Sequence, residues 1–282
     1  MNDQSIPKRR GRGRPKSAFT DSSASTIQAL DRGLAVLSAL ARDGGGTLSD
    51  MSMRLGMPAS TAHRVLATLE KHGFVDMDEE TQTWRVGLEA FRVGSAFMQR
   101  TNLLEVGRST MRDLMEHTGE TANMGILDAD HVVFIGQVET HNPIRAFHRP
   151  GSRGPMHASG IGKALLAAMS EQDTQKLLTR TGLQQFSPKT LTAPEDLMAD
   201  LSETRIRGWS FDDEERFEGM SCVAAVIYDG YGEAVAGISV SGPSARFAAS
   251  ALPGLGEAVK AAAAEVTSRI GGQMPRAAVA PP

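Results

Sequence analysis

Apolar positions along the chain change period twice, and the changes divide it. Between Thr26 and Gly46, Ile27, Leu30, Leu34, Leu37 and Ala41 recur at steps of three and four. That spacing predicts an amphipathic helix with these residues as its apolar face, stopped by Gly44 to Gly46. The next stretch, "TLSDMSMRLGMPASTAHRVLATLEKHGF", predicts a short helix over 48–55, a tight turn at Gly56, and a longer helix opened by Pro58. Two short helices across such a turn form a helix-turn-helix unit. In the longer helix Ala62, Val65, Leu66 and Leu69 make the inward stripe, while Ser60, Thr61, Arg64, Thr68 and Lys71 occupy the other face. Beyond Gly73, alternation over Val75 and Met77 and again over Trp84 and Val86, around the polar turn "DEET", predicts a two-stranded hairpin.

A helical period returns at Leu88, Phe91, Ala96 and Phe97, predicting a helix over 88–101 that links two domains, and a second helix follows to Gly119. There the period shortens to two. "ETANMGILD", "HVVFIGQVET" and "IRAFHR" are predicted as successive strands, followed by helices near 159–169, 171–181 and 194–207. "SCVAAVIYD" and "EAVAGISVSG" form a hairpin around "GYGE", and a last helix covers about 252–270. Strands and helices in this order predict an α+β domain with a largely antiparallel sheet. The division expected is a disordered arm (1–25), a winged helix-turn-helix (26–87), the linking helix (88–101), a sheet domain (102–272) and a disordered tail (273–282).

Charge sharpens the first domain. The chain carries a formal net charge of −3, yet residues 1–20 carry +5, so a basic arm precedes an acidic body. A polar, cationic helix face is usually just a solvated face. Here the preceding helix, the turn and the arm favour a recognition helix whose Ser60, Thr61, Arg64, Thr68 and Lys71 reach base edges and phosphates in a major groove. Arg85 of the hairpin is a candidate phosphate contact. A single cysteine, Cys222, allows no internal disulfide and fits a reducing, cytoplasmic setting. No apolar run approaches the roughly 18 residues of a membrane span, and no secretory signal is expected. The seven histidines lack metal-ligand spacing, so neither a metal nor a cofactor is expected.

Three features of the second domain can form a site. "GPMHASGIGKALLAAM" opens a helix with small residues, so amides near Ser159, Gly160 and Ile161 are either an anion cradle or an ordinary close-packed helix start. A phosphate-binding P-loop is excluded, because its first glycine would be His157 and its Ser/Thr would be Ala164. Ser239 and Ser241 share one face of a strand, either paired donors for a carboxylate or two solvated hydroxyls. Cys222 reads as a small buried hydrophobe and Asp212 as part of a solvent-exposed acidic loop. A catalytic Cys222–His157 pair lacks any activating signature.

The segments "ALDRGLAVLSALA", "GMPASTAHRVLATLEKHGFV", "HASGIGKALLA", "GWSFDDEE", "GMSCVAAVIYD" and "AVAGISVSGP" together resemble the IclR family of bacterial transcription regulators, over roughly residues 26–272. The resemblance implies a winged helix-turn-helix, a linker helix and a C-terminal effector-binding domain with a GAF-like sheet. It also implies homodimers or homotetramers on palindromic operator DNA. It is strongest to glyoxylate-responsive members, whose pocket holds small 2-oxo acids. Carried over, the amides are those of Gly160 and Ile161, the acid is Asp212, the thiol is Cys222 and the hydroxyls are those of Ser239 and Ser241. Ile161 departs from the Ala or Thr often found there, which narrows the pocket. The alternatives are an enzyme acting on a small oxo acid and an architectural DNA-binding protein without effector response.

Within the arm, "RGRPK" resembles the core of an AT-hook, with Arg12 and Arg14 entering an A·T minor groove on either side of Gly13. Nine residues of coil, Ser17 to Ser25, reach roughly 15 to 18 Å.

Overall fold

The computed structural model describes residues 26–101 and 103–274, with the backbone alone for 95–101. The basic arm, with Arg12 and Arg14, and residues 275–282 lie outside the described residues. The chain divides into two compact units after Phe97.

The first unit comprises helices α1 (Gln28–Asp43), α2 (Leu48–Arg54) and α3 (Ala59–Lys71), strands β1 (Val75–Asp78) and β2 (Thr83–Val86), and the start of α4 (Leu88–Thr101). A capping box starts α2: Thr47 Oγ1 accepts from the Asp50 N–H at 3.2 Å, and the Asp50 carboxylate accepts from the Thr47 N–H at 2.9 Å. The α2–α3 turn passes through Gly56 at a φ of +59°, a conformation that favours glycine. Ser52 Oγ closes the turn by donating to the Met57 carbonyl at 2.7 Å. β1 and β2 pair antiparallel as the predicted hairpin. Met51, Ala62, Leu66, Val75 and Trp84 meet Val36, Ala39 and Leu40 in one core.

That core corrects the expected face of α1. Its buried residues are Val36, Ala39 and Leu40, whereas Ile27, Leu30 and Leu34 are 69%, 58% and 56% exposed and Leu37 is half-buried. The helix carries apolar residues on two faces, and periodicity does not say which one meets the core.

The second unit is a six-stranded sheet between two helical layers. Its strands are β3 (Thr121–Asp128), β4 (His131–Val138), β5 (Arg153–Pro155), β6 (Ser210–Asp213), β7 (Met220–Tyr228) and β8 (Ala234–Pro243), ordered β5-β4-β3-β8-β7-β6 with every pair antiparallel. Helices α5 (Leu103–Thr118) and α9 (Leu252–Arg269) cover one face, where Met124, Val223, Ile238 and Val240 enter the larger core. Helix α6 (Gly160–Ala168), backed by α7 (Glu171–Thr181) and α8 (Pro194–Arg207), covers the other. α6 is buried along nearly its whole length, so it forms the middle of the fold rather than a surface helix. β8 is likewise buried on both faces, which excludes solvated hydroxyls at Ser239 and Ser241.

Two strand expectations change. Residues 144–149 form an irregular segment, not a strand, because β5 takes the outer edge of β4 and Pro143 and Pro150 flank the segment. Asp212 lies in the edge strand β6, 8% exposed, instead of in a solvated loop. β6 escapes notice in the sequence because "SFDD" has neither the length nor the apolar alternation of a strand.

Candidate functional site

Antiparallel register aligns polar residues on the sheet face beneath α6. Asp212 pairs with Cys222, Cys222 with Ser241, and Ser241 with Thr121, giving one row across four strands. One step along, Ser210, Ala224, Ser239 and Asn123 form a second row. Residues opposite one another in such a ladder share a face. Over the first row lies the N-terminus of α6, where Ser159 Oγ accepts from the Gly162 N–H at 3.2 Å and donates to the Pro155 carbonyl at 2.7 Å. Gly160 and Ile161 are the first two helical residues, so their N–H groups have no partner within the helix. A Cβ at Gly160 would lie 2.6 Å from Cys222 Sγ, so the helix end seats on the thiol only because residue 160 lacks a side chain.

Between these layers is a cavity of about 190 Å³. Gly160, Ile161, Asp212, Cys222 and Ser241 line it. Ser239 does not; it stands in the second row, fully buried, with its hydroxyl unpartnered. Asn123 donates to Ser241 Oγ at 3.2 Å and fixes that hydroxyl from below.

The opposite wall was not foreseen from the sequence. The irregular segment contributes Arg145, Phe147 and His148, and the turn after β6 contributes Arg216 and Phe217. His148 stacks on Phe134 with ring centroids 4.2 Å apart, and burial, then Arg216, hold its imidazole down at about 4, so it is neutral at pH 7. Thr140 and Asn142 both donate to the Gly119 carbonyl, at 2.7 and 2.9 Å, and anchor the approach to this segment.

Charge in the site is uneven. Burial pushes Asp212 up to about 6, against the pull of the Glu215 N–H, which donates to it at 2.8 Å, and of Lys163. Burial likewise pushes the Cys222 thiol up to about 11, with Asp212 adding to the rise, so the thiol is not a ready nucleophile. His157 Nε2 is engaged with the Gln184 carbonyl at 2.9 Å. Neither half of a Cys222–His157 pair is set up for nucleophilic catalysis. The Gly160 and Ile161 amides, the Ser241 hydroxyl, the Asp212 carboxyl and the Arg145 and Arg216 side chains thus line one cavity.

In the first unit Ser60, Arg64, Thr68 and Lys71 are exposed on one side of α3, and Thr61 is half-buried beside them. Thr68 Oγ1 donates to the Arg64 carbonyl at 2.7 Å. On β2, Arg85 is exposed and lies 3.5 Å from Asp78. Among the described residues no helix is long and apolar enough to cross a membrane.

A winged helix-turn-helix followed by a sheet domain with a cavity under a buried helix defines a ligand-sensing class of transcription regulator. Residues 29–79 match the IclR helix-turn-helix domain and residues 95–268 match the bacterial transcriptional regulator IclR C-terminal domain, so the chain belongs to the IclR family. It is 49% identical over 261 residues to the HTH-type transcriptional regulator BhcR of Paracoccus denitrificans, covering 92% of this chain and 94% of that one. It is 43% identical over 264 residues to the transcriptional repressor IclR of Escherichia coli, covering 93% and 96%. The crystal structure of the Thermotoga maritima IclR is similar with a TM-score of 0.73 at 28% identity, covering 86% of this chain and 98% of that one.

Proposed function

We propose that this regulator binds a palindromic operator as a homodimer or homotetramer and that a small 2-oxo acid, of glyoxylate or pyruvate size, sets its operator affinity. The observation that carries this reading is the cavity between the α6 N-terminus and the Asp212–Cys222–Ser241 row. Its volume of about 190 Å³ accommodates a small acid. In this reading the Gly160 and Ile161 amides and the Ser241 hydroxyl hold the carboxylate. Asp212 repels a carboxylate and so accepts a hydrogen bond from the hydrated aldehyde of glyoxylate. Cys222 packs beside the bound acid, and Ser239 supports the row from behind.

Ser60, Thr61, Arg64, Thr68 and Lys71 enter the major groove, and Arg85 meets a phosphate from the wing. The winged domain spans 26–87, the linking helix 88–101 and the effector domain 102–272. Ile27, Leu30 and Leu34, exposed on α1, and Leu88, Phe91 and Val93, exposed on α4, supply apolar surface for subunit association. A ligand shifts operator affinity only through its preference for one arrangement of the oligomer. Footprinting on the upstream region of its own gene, with and without glyoxylate, tests operator binding, site symmetry and effector response together. Steady consumption of glyoxylate or pyruvate by the protein would favour an enzyme instead.

A further inference from the structure

The strongest unexplained feature is the ion cluster under the cavity. Lys163, fourth residue of α6, is fully buried in an otherwise apolar helix. Its Nζ lies 2.5 Å from Glu215 Oε1 and 3.1 Å from Asp200 Oδ2. Glu215 in turn donates its backbone N–H to Asp212 at 2.8 Å, and its carbonyl accepts from Thr190 Oγ1 at 2.5 Å. Through these contacts Lys163 is a positioning residue: it bolts β6, which carries Asp212, and the turn after it, which carries Arg216 and Phe217, onto the helix that supplies the amides.

Within the buried part of the cluster carboxyls outnumber cations, because the compensating Arg207 and Arg216 stand at its rim. Two buried carboxyl groups, those of Asp212 and Glu215, and the partly exposed one of Asp200 share one fully buried ammonium; Glu215 Oε2 has no hydrogen-bond partner, and Asp200 Oδ2 has only its ion pair with Lys163. The other groups facing the cluster sit at its rim. Arg207 is 3.8 Å from Asp200. Arg216 faces Asp212 and His148. Asp213, together with Glu214, is paired outward with Lys189. The Cys222 thiol adjoins Asp212 on the next strand. Burial of an uncompensated carboxylate is relieved by taking up a proton. An anion entering beside Asp212 adds a fourth negative charge to this set.

We propose that the site binds its anionic effector together with one proton, and that Glu215, held by Lys163, is the group that takes it up. This rests on the reading of the cavity as a site for a small acid anion. The carboxyl groups support it: burial pushes Glu215 up to about 7, above Asp212 at about 6, whereas Lys163, pulled down by burial, is held up by Glu215 and Asp200 and stays charged. The sign follows. The bound anion raises the Glu215 carboxyl further, so above about pH 7 binding draws in a proton and affinity falls by up to tenfold per pH unit; below about pH 6 it is level.

Calorimetric titration of the full chain with glyoxylate and with pyruvate, in buffers of different ionisation enthalpy at pH 7.5, tests this. The expected result is uptake approaching one proton per effector in the natural protein and near zero in Glu215→Gln, whose amide still reaches Lys163. Lys163→Met, checked for folding by its melting curve, is expected to lose the pH dependence as well, because Glu215 then carries its proton before the effector arrives. Buffer-independent heats in the natural protein, or undiminished uptake in Glu215→Gln, overturn the proposal. If neither acid binds at any pH, the effector reading fails, and the effector-free protein decides the remainder. A protonated-carboxyl infrared band that grows between pH 8 and 6 in Asp212→Asn, and is missing once Glu215→Gln is added, sustains Glu215 as the proton holder, and its absence from Asp212→Asn overturns it.

Discussion

Asp212 sets stability against function. Its carboxyl is held at about 6 in the fold against 3.8 for a fully solvated aspartate. An acid raised in this way costs stability once ionised: the penalty is absent below about pH 4, grows through about pH 6 and is complete above it. Two pH units correspond to on the order of 2 to 3 kcal/mol, less whatever Lys163 returns. Asp212→Asn is therefore expected to raise the melting temperature by several degrees at pH 8 and by almost nothing at pH 4, while weakening glyoxylate binding. Calorimetry at both pH values checks the pair; undiminished binding removes Asp212 from the effector site. Gly160 makes the complementary point about space. Gly160→Ala sets its new methyl 2.6 Å from Cys222 Sγ and 3.3 Å from Ala224 Cβ. Overpacking of this kind costs about 1 to 3 kcal/mol. The variant is expected to unfold earlier, and Cys222→Ala in the same chain is expected to restore much of the loss by removing the sulfur. Equal melting of Gly160→Ala and the natural protein would show that the helix end does not rest on Cys222.

At the scale of elements, α3 separates its two faces by what each substitution should do. Leu66 is fully buried among Val36, Met51 and Trp84. Leu66→Ala is expected to destabilise the winged unit by about 2 to 5 kcal/mol. Arg64 is exposed on the other face, and Arg64→Ala is expected to leave melting unchanged while costing about 1 to 3 kcal/mol in operator binding, read by titration against specific and scrambled DNA. Equal loss on both DNAs would make Arg64 a phosphate contact rather than a base reader. α3 and its stripe were legible in the sequence because a four-residue apolar pattern, a turn and a proline all agreed. The same holds for β7 and β8, whose long apolar runs flank a Gly-rich turn. The opposite wall of the cavity was not legible. Arg145, Phe147 and His148 lie in an irregular segment that alternates like a strand, and only the competition of β5 for the same edge decides the matter. Arg216 sits in an acidic run that looks solvated, although Lys163 in the midst of "GIGKALLAA" already required a buried carboxylate somewhere.

For the whole molecule, DNA affinity is the sum of the winged unit and whatever the arm adds. Residues 8–16 hold six cations within nine residues, and "RGRPK" places Arg12 and Arg14 around a glycine that can lie deep in a narrow groove. If the arm trails in solvent, it contributes only a weak general attraction, and its removal leaves the salt dependence almost unchanged. If all six cations meet phosphates, each contact releases close to one counterion, and deleting residues 1–16 flattens the log–log salt slope of operator binding by up to about 5. The two cases also differ in sequence. Narrow A·T minor grooves carry the most negative potential, so an inserted arm makes A·T flanks bind more tightly than G·C flanks, and the deletion removes that preference while leaving discrimination within the half-sites to α3. Measuring affinity from 50 to 300 mM salt on operators with A·T and with G·C flanks, for the full and the shortened chain, reads both effects at once. An unchanged slope and an unchanged flank preference would leave operator recognition wholly to α3 and the wing.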